Sequence, residues 1–441
     1  MRTTSQPAEP AVVHDLRRIL AVQALRAFLY GFGSVIVGTS LAAAGLTDVQ
    51  VGLVFTAMLA GAALISIVVG LLGDRLGRRA TYAFLLGVMG LAGTAYAFTT
   101  SVPVLIVVAL SGTLSTDANE SGPITSLEQA MLGSAPAATR SRVFGRYNAV
   151  AFLAGAGGAL CAGGPSAFRT VIPSLPPDQR WLLVYLPIAA TCVLIATRLT
   201  PEVEPTTAGS SAGRGFALDG KGGAVAERGR GRHGKRSNGP ARPPLSPSSR
   251  RTVQKLAALF GLDAFAGGFV VTTFVVFWFT RKFGASTETM SLVVFAGGLI
   301  QAGSSVASGW LGAKIGLLKT MVFTHLPSNV LLLLVPLMPS LGLAIAVLLL
   351  RFTLSQMDVP ARQAYVVAMV DPRERTAAAA FTNTARYVVR PIGAAGAGAL
   401  LQTVGFGAPF FVAGSLKVLY DLLLYRTFRS VPLPEDQRSG T

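Results

Sequence analysis

Apolar runs of near-constant length dominate the chain: Val51 to Leu72, Thr81 to Phe98 and Leu331 to Leu350 are three of them. Each is close to the roughly 20 residues an α-helix needs to cross about 30 Å of hydrocarbon. Charged residues make up 13% of the 441, and mean hydropathy is +0.55, whereas a soluble domain carries about 25% charge. The deficit follows from the cost of placing charge against lipid. The chain therefore reads as an all-α membrane protein. Twelve spans are expected, at about 19–45, 51–73, 80–99, 103–132, 142–164, 181–198, 254–279, 287–311, 320–338, 341–368, 377–401 and 405–425. The fourth and tenth are longer than a crossing needs, so each should bend or emerge.

The net charge of +18 would suggest nucleic acid in a soluble protein. Its placement gives another reading. Arg17/Arg18, Arg75/Arg78/Arg79, Arg140/Arg142, the central linker, Lys314/Lys319, Arg373/Arg375 and Arg426/Arg429 fall in alternate connections. The other connections hold only Arg169, Arg180, Arg281 and Lys282. The positive-inside rule then puts both termini and the linker in the cytoplasm, in a multi-pass cell-membrane protein with no nucleic-acid partner. The expected organisation is a cytoplasmic segment 1–18, a six-helix bundle 19–198, a basic linker 199–252, a second bundle 253–426 and a cytoplasmic tail 427–441. Rich in Gly, Pro, Ser and Arg, the linker has too few apolar residues for a core and is expected to be disordered. Cys161 and Cys192 lie in apolar stretches and read as packing residues. No cleavable signal peptide is expected before the first span.

The two halves repeat each other. Leu25-Arg-Ala-Phe-Leu-Tyr-Gly-Phe32 aligns with Leu262-Asp-Ala-Phe-Ala-Gly-Gly-Phe269 at an offset of 237. Gly70-Leu-Leu-Gly-Asp-Arg-Leu-Gly77 aligns with Gly309-Trp-Leu-Gly-Ala-Lys-Ile-Gly316 at 239. Thr113-Leu-Ser115 matches Thr353-Leu-Ser355, and Arg146-Tyr147 matches Arg386-Tyr387, both at 240. Two pseudo-symmetric six-helix bundles, related by an axis along the membrane normal, are the expected fold.

The run Gly70-Leu-Leu-Gly73-Asp74-Arg75-Leu-Gly77-Arg78-Arg79 closely resembles the signature loop of the major facilitator superfamily. The resemblance, with the repeat and the twelve spans, covers nearly the whole chain. It implies a latch between the halves in the outward-facing state, and a central site built from spans one, four, seven and ten. On chemistry alone, the glycines permit a tight turn, Asp74 can pair with a cation or helix terminus, and the arginines hold the basic face. The second copy has Ala313 in place of the acid, so any latch is asymmetric.

Charges inside spans need partners or a water-filled cavity. Arg26 and Asp263 occupy equivalent positions of spans one and seven; they pair across the halves or each within its own. Span four carries Asp117, Asn119, Glu120 and Glu128 around Gly122-Pro123, where the helix should break. These three carboxylates are the first choice for proton coupling or cation binding, and Asp117 and Glu120, three apart, share a helical face. Span ten offers Arg351, Asp358 and Arg362 around Pro360: Asp358 can pair with Arg362, and Arg351 or Arg362 can hold an anionic substrate. Arg146 and Arg386 are expected at the cytoplasmic mouth, and His325 to cap or pack. No catalytic signature, cofactor site or metal cluster is present in the sequence. The chain reads as a transporter, not an enzyme, driven by a gradient. Its expected partners are a small-molecule substrate, protons and the bilayer, and it is expected to be a monomer. Proton-coupled efflux of a small organic compound or metalloid is the leading expectation, with proton-symport uptake second. A lipid flippase or a sensor on the same fold is the reading from another class.

Overall fold

A computed structural model describes residues 9–114, 122–132, 137–204, 246–371 and 374–431. Asp117 and Glu120, the linker from 205 to 245 and the tail from 432 lie outside the described residues, as do the side chains of Asp74 and Arg75. No strand occurs among the described residues, and sixteen α-helices account for the twelve expected passes.

In the first half, α1 (Glu9–Ala43), α2 (Asp48–Leu76) and α3 (Arg78–Phe98) each make one pass. The fourth pass is split into α4 (Val102–Ala109) and α5 (Pro123–Leu132). It is followed by α6 (Ala137–Ala162), the short α7 (Gly164–Arg169) and α8 (Tyr185–Thr197), the last entered through a 3-10 turn at Asp178–Val184. In the second half, α9 (Pro247–Gly268) and α10 (Thr272–Phe283) share one pass, then come α11 (Thr287–Ile315) and α12 (Leu317–Leu334). The tenth pass is again split, into α13 (Leu341–Ser355) and α14 (Asp358–Ala368), before α15 (Arg375–Thr403) and α16 (Ala408–Phe428). Ten of the passes are long and apolar enough to cross a membrane, the broken seventh and tenth among them. The other two depart for visible reasons: the fourth is interrupted, and the eleventh carries Arg386 and Arg390 among its glycines. Large apolar side chains such as Phe84, Val107, Leu153 and Val306 lie exposed on the flanks, the inverse of a water-soluble surface and the arrangement that lipid tails require.

The breaks sit where the chain's chemistry puts them. Pro123 opens α5, because its missing amide is one the first turn leaves unused. Pro360 falls in the first turn of α14 for the same reason. The break in the seventh pass, between Gly268 and Thr272, was not expected; it follows Gly267-Gly268, where the helix is weakest. Gly77 and Gly316, at the equivalent turns of the two halves, both hold φ of +88°, a conformation that side chains rarely adopt.

The face where α1 begins, α16 ends and the Gly77 and Gly316 turns lie is termed the basic face. The contacts that join the halves gather toward the opposite face. Gly52 near the start of α2 meets Gly398 near the end of α15, and a Cβ on Gly52 would stand 2.6 Å from the Gly398 Cα. Phe55 packs edge-on against Phe274 and Phe277 of α10. The Thr287 hydroxyl at the head of α11 donates to Asp178 at 2.8 Å, and Asp178 in turn pairs with Arg169 at 2.5 Å. The halves are thus closed on the side opposite the basic face.

This geometry predicts that Gly398→Leu prevents that closure. In a Cys161→Ser/Cys192→Ser background, a reporter Thr287→Cys should react severalfold faster with a water-soluble thiol reagent when Gly398→Leu is added. Equal reaction rates would show that the glycine contact does not govern closure.

Candidate transport site

Each half buries one cluster of charge, and the two clusters are built from equivalent elements with the signs reversed. In the first half, Arg26 of α1 pairs with Glu128 of α5 through contacts of 2.7 Å and 3.4 Å. Both are almost wholly buried, at 2% and 0% exposure. Taking such charges out of water costs several kcal/mol per ion, and only good geometry with further hydrogen bonds offsets that cost. Here the Tyr82 hydroxyl of α3 donates to one Glu128 oxygen at 2.8 Å, and the Tyr147 hydroxyl of α6 donates to the other at 2.5 Å. Arg26 also donates to Gln23 one turn earlier, and its guanidinium lies 5.0 Å from the centre of the Tyr30 ring. The first-half cluster is neutral and fully satisfied.

In the second half the acid is on the equivalent of α1. Asp263 of α9 pairs with Arg362 of α14 at 3.3 Å and with Lys417 of α16 at 2.5 Å. Arg362 reaches back one turn to Asp358 at 3.0 Å. The cluster continues through His325 of α12, whose Nε2 lies 3.8 Å from Asp263 and whose Nδ1 is 2.9 Å from Asp421 of α16. Asn329 donates to the other Asp421 oxygen at 2.9 Å. Arg351 at the end of α13 and Arg386 of α15 lie close enough to Asp263 and Asp358 to feel their charge. The Nε–H of each is buried and meets no acceptor among the described residues. Four permanent cations, Arg351, Arg362, Arg386 and Lys417, thus face the three carboxylates Asp263, Asp358 and Asp421, an excess of one positive charge before His325 is counted.

Several expectations are decided here. Of the two pairings left open for Arg26 and Asp263, the structure has the one within each half. A cross-half pair would have to be desolvated at a moving boundary, whereas Glu128, Arg362 and Lys417 provide fixed partners. The Asp358–Arg362 pair is present as expected. Arg386 is not at the mouth but beside the acidic cluster, while Arg146 is exposed. Of the two roles expected for His325, capping or packing, it takes the second, buried within the cluster. Lys417 and Asp421 were missed by sequence reasoning, although the rule that charge inside a span needs a partner applies to both. Gln23, Tyr82, Tyr147 and Asn329 left no comparable signal.

The signature loop is engaged inside the first half. Gly70 and Gly73 lie in the last turns of α2, and Gly77 makes the turn. The backbone amides of Arg78 and Arg79 donate to the Glu204 carboxylate at 2.7 and 3.1 Å. The Arg79 guanidinium donates to the Thr197 carbonyl at 3.2 Å, and that of Arg78 to the carbonyls of Ala130 and Val203. In this conformation Arg78 and Arg79 brace the first half.

The family model described as Major Facilitator Superfamily matches residues 20–355 and 256–441. An uncharacterized membrane protein of Saccharomyces cerevisiae is 24% identical over 429 residues, covering 95% of this chain and 94% of that protein. The solved structure of the nucleoside transporter NupG superposes with a TM-score of 0.67 at 12% identity, over 94% of this chain and 99% of that one. A D-xylose-proton symporter gives 0.66 at 15% identity, over 95% and 98%.

The first-half cluster makes a sharp energetic prediction. Glu128→Ala leaves Arg26 buried without a counter-charge and should lower stability by about 3–5 kcal/mol. The double variant Arg26→Met/Glu128→Leu removes both charges and should recover most of that loss. Thermal or denaturant unfolding of the purified protein measures it; a double variant no more stable than the single one would contradict the pairing.

Proposed function

Because this chain belongs to the major facilitator superfamily, we propose that it is a proton-coupled secondary transporter of a small organic anion, working by alternating access. The observation that carries the reading is the pair of buried, acceptor-free Nε–H groups of Arg351 and Arg386 beside the Asp263–Arg362–Asp358 cluster. A buried donor without a partner costs about 1–3 kcal/mol, more when charged. A carboxylate or similar group arriving between the halves would supply the missing acceptors, and Arg presents the fork geometry such groups fit.

The acids beside those arginines supply the coupling. Asp263 ties α9 to α14 and α16 through Arg362 and Lys417. A proton on Asp263 removes one negative charge from the cluster and leaves those two cations undercompensated. The site then attracts an anion more strongly, and by linkage the bound anion raises the affinity for the proton by the same factor. Proton and anion therefore bind together, which favours symport over the antiport efflux expected from the sequence. Antiport needs one group to hold either proton or cargo in turn, which suits a cationic cargo on Asp263. With the basic face in the cytoplasm by the positive-inside rule, the observed conformation is the one closed to the outside.

Proteoliposomes with an imposed pH gradient test this. Internal pH is followed while carboxylates, sulfonates, phosphate esters, neutral sugars, nucleosides and organic cations are added singly. Anion-dependent proton movement in the same direction as the cargo is expected, and it should be lost in Asp263→Asn. Arg386→Gln should raise KM about 10–100-fold, the equivalent of one charge-assisted hydrogen bond, with a smaller change in kcat. Proton movement only with cations or neutral solutes would overturn the anion assignment. Cargo flux without proton movement would overturn the coupling.

A further inference from the structure

Among the titratable groups of the second-half cluster, His325 and Asp421 have no part in the anion site or in the proton's place on Asp263. The His325 imidazole is 4% exposed and stands between two carboxylates. Its Nδ1 lies 2.9 Å from Asp421 of α16, and its Nε2 lies 3.8 Å from Asp263 of α9. Asn329, one turn along α12, donates to the second Asp421 oxygen at 2.9 Å. The Tyr420 ring meets the imidazole edge-on at 5.8 Å. The other charges around the pair are Arg351 of α13, Asp358 and Arg362 of α14, Arg386 of α15 and Lys417 of α16. The arginines keep their protons, Asp358 is tied to Arg362 at 3.0 Å, and Lys417 to Asp263 at 2.5 Å. The groups left to exchange a proton are the imidazole and the carboxylates at its two nitrogens.

Two observations give this arrangement a task beyond packing. First, Asp421 is 0% exposed, and its ion-pair partner among the described residues is His325. A carboxylate buried that deeply needs a counter-charge, which an imidazole supplies only when it holds a second proton. Second, Nε2 approaches the same Asp263 oxygen that Lys417 holds, Oδ1. Lysine and imidazole compete for that oxygen. Nε2 must close by about 1 Å to reach hydrogen-bond distance, and the oxygen becomes free to meet it when Lys417 lets go. The equivalent turn of α3 in the first half carries Leu85 and Leu86, so helix packing at this depth does not itself require an imidazole.

We infer that His325 is the second station of the transported proton, taking it from Asp263 when the anion leaves and holding it against Asp421; this rests on the proton-coupled reading above. In the step, the Asp263 O–H bond breaks with its electrons left on oxygen, and an Nε2–H bond forms. A neutral acid and a neutral imidazole become a carboxylate and an imidazolium, so the charge of the cluster is unchanged. Asp421 faces the imidazolium at Nδ1, and Lys417 returns to the Asp263 oxygen, as observed here. In reverse, an arriving anion engages the cluster's cations, Lys417 releases Asp263, and the proton moves back onto it. Asp421 lies two helical turns before Phe428, where α16 ends on the basic face, so the proton held there leaves on that side.

The transport test uses lactate, benzoate and succinate as probes in proteoliposomes. Net uptake under an imposed pH gradient requires Asp263 to discharge its proton. Exchange of labelled internal probe for unlabelled external probe at equal pH does not. His325→Gln should slow net uptake about 100-fold, the lower end of what a positioned proton acceptor contributes, and leave exchange near the wild-type rate. Asp421→Asn should give the same split. Unchanged net uptake would overturn the inference, as would net uptake and exchange falling together in a variant that keeps its melting temperature. A wild type that moves none of the three probes counts against the anion reading, and a second measurement then decides the proton station alone. His14→Gln/His233→Gln leaves His325 as the one histidine of the three, and nitrogen-15 spectra of that full-length chain read both ring nitrogens without cargo. Nδ1 should respond to Asp421→Asn and Nε2 to Asp263→Asn, and the ring should gain and lose a proton as pH is changed. An Nε2 resonance indifferent to Asp263→Asn, or a ring fixed in one protonation state, would overturn the inference whatever the transport assay gives.

Discussion

The cost of burying charge in a low-dielectric interior governs this architecture. An isolated guanidinium or carboxylate in the middle of a helix bundle is not tolerated. Arg26 and Asp263 are tolerated because partners on other helices of the same half reach them: Glu128, Tyr82 and Tyr147 for the first, Arg362 and Lys417 for the second. These bonds tie the first pass to the third, fourth and fifth, and the seventh to the tenth and twelfth. Close helix approach completes the arrangement, with Gly158 against the Phe28 carbonyl in one half and Gly393 against the Phe265 carbonyl in the other. Each half is thereby a self-contained unit.

What joins the halves is of another kind. It consists of small residues, aromatic edges and hydroxyl-to-carboxylate bonds near the face opposite the basic one. Such contacts can separate without stranding a buried ion, because the strong electrostatic ties do not cross the boundary there. The division of labour suits alternating access, in which two rigid units rock about a central site. The reversed signs of the two clusters also matter. The first, with one acid, one base and two phenols, is saturated. The second carries surplus cations with idle donors, so the capacity for binding and for titration is concentrated in one half.

Much of this was legible in the sequence because membrane burial writes long-range constraints into local pattern. Each apolar run became a helix or a pair of helices, and the breaks at Pro123 and near Pro360 followed from proline chemistry. The repeat located Arg26 and Asp263 as equivalent positions, and the signature loop marked Gly77. Partner choice was not legible. Spacing reveals Asp358–Arg362 because one helix turn separates them, but nothing local says that Arg26 meets Glu128, 102 residues away. Lys417 and Asp421 could have been found, as charges one turn apart in an otherwise apolar span. Arg386 was misplaced because its position near a span's basic end suggested the mouth, while helix packing carries it to Asp263.

The ion clusters make each half rigid and leave motion to the boundary between them. Distances between paired spin labels test it most directly, in a Cys161→Ser/Cys192→Ser background. Labels at Thr47 and Thr100 report within the first half, labels at Ser340 and Thr403 within the second, and labels at Thr47 and Thr403 across the boundary. On adding transported cargo with an imposed proton gradient, the account predicts that the cross-boundary distribution shifts while both internal ones stay fixed. Internal distances that move as far as the cross-boundary one would contradict it.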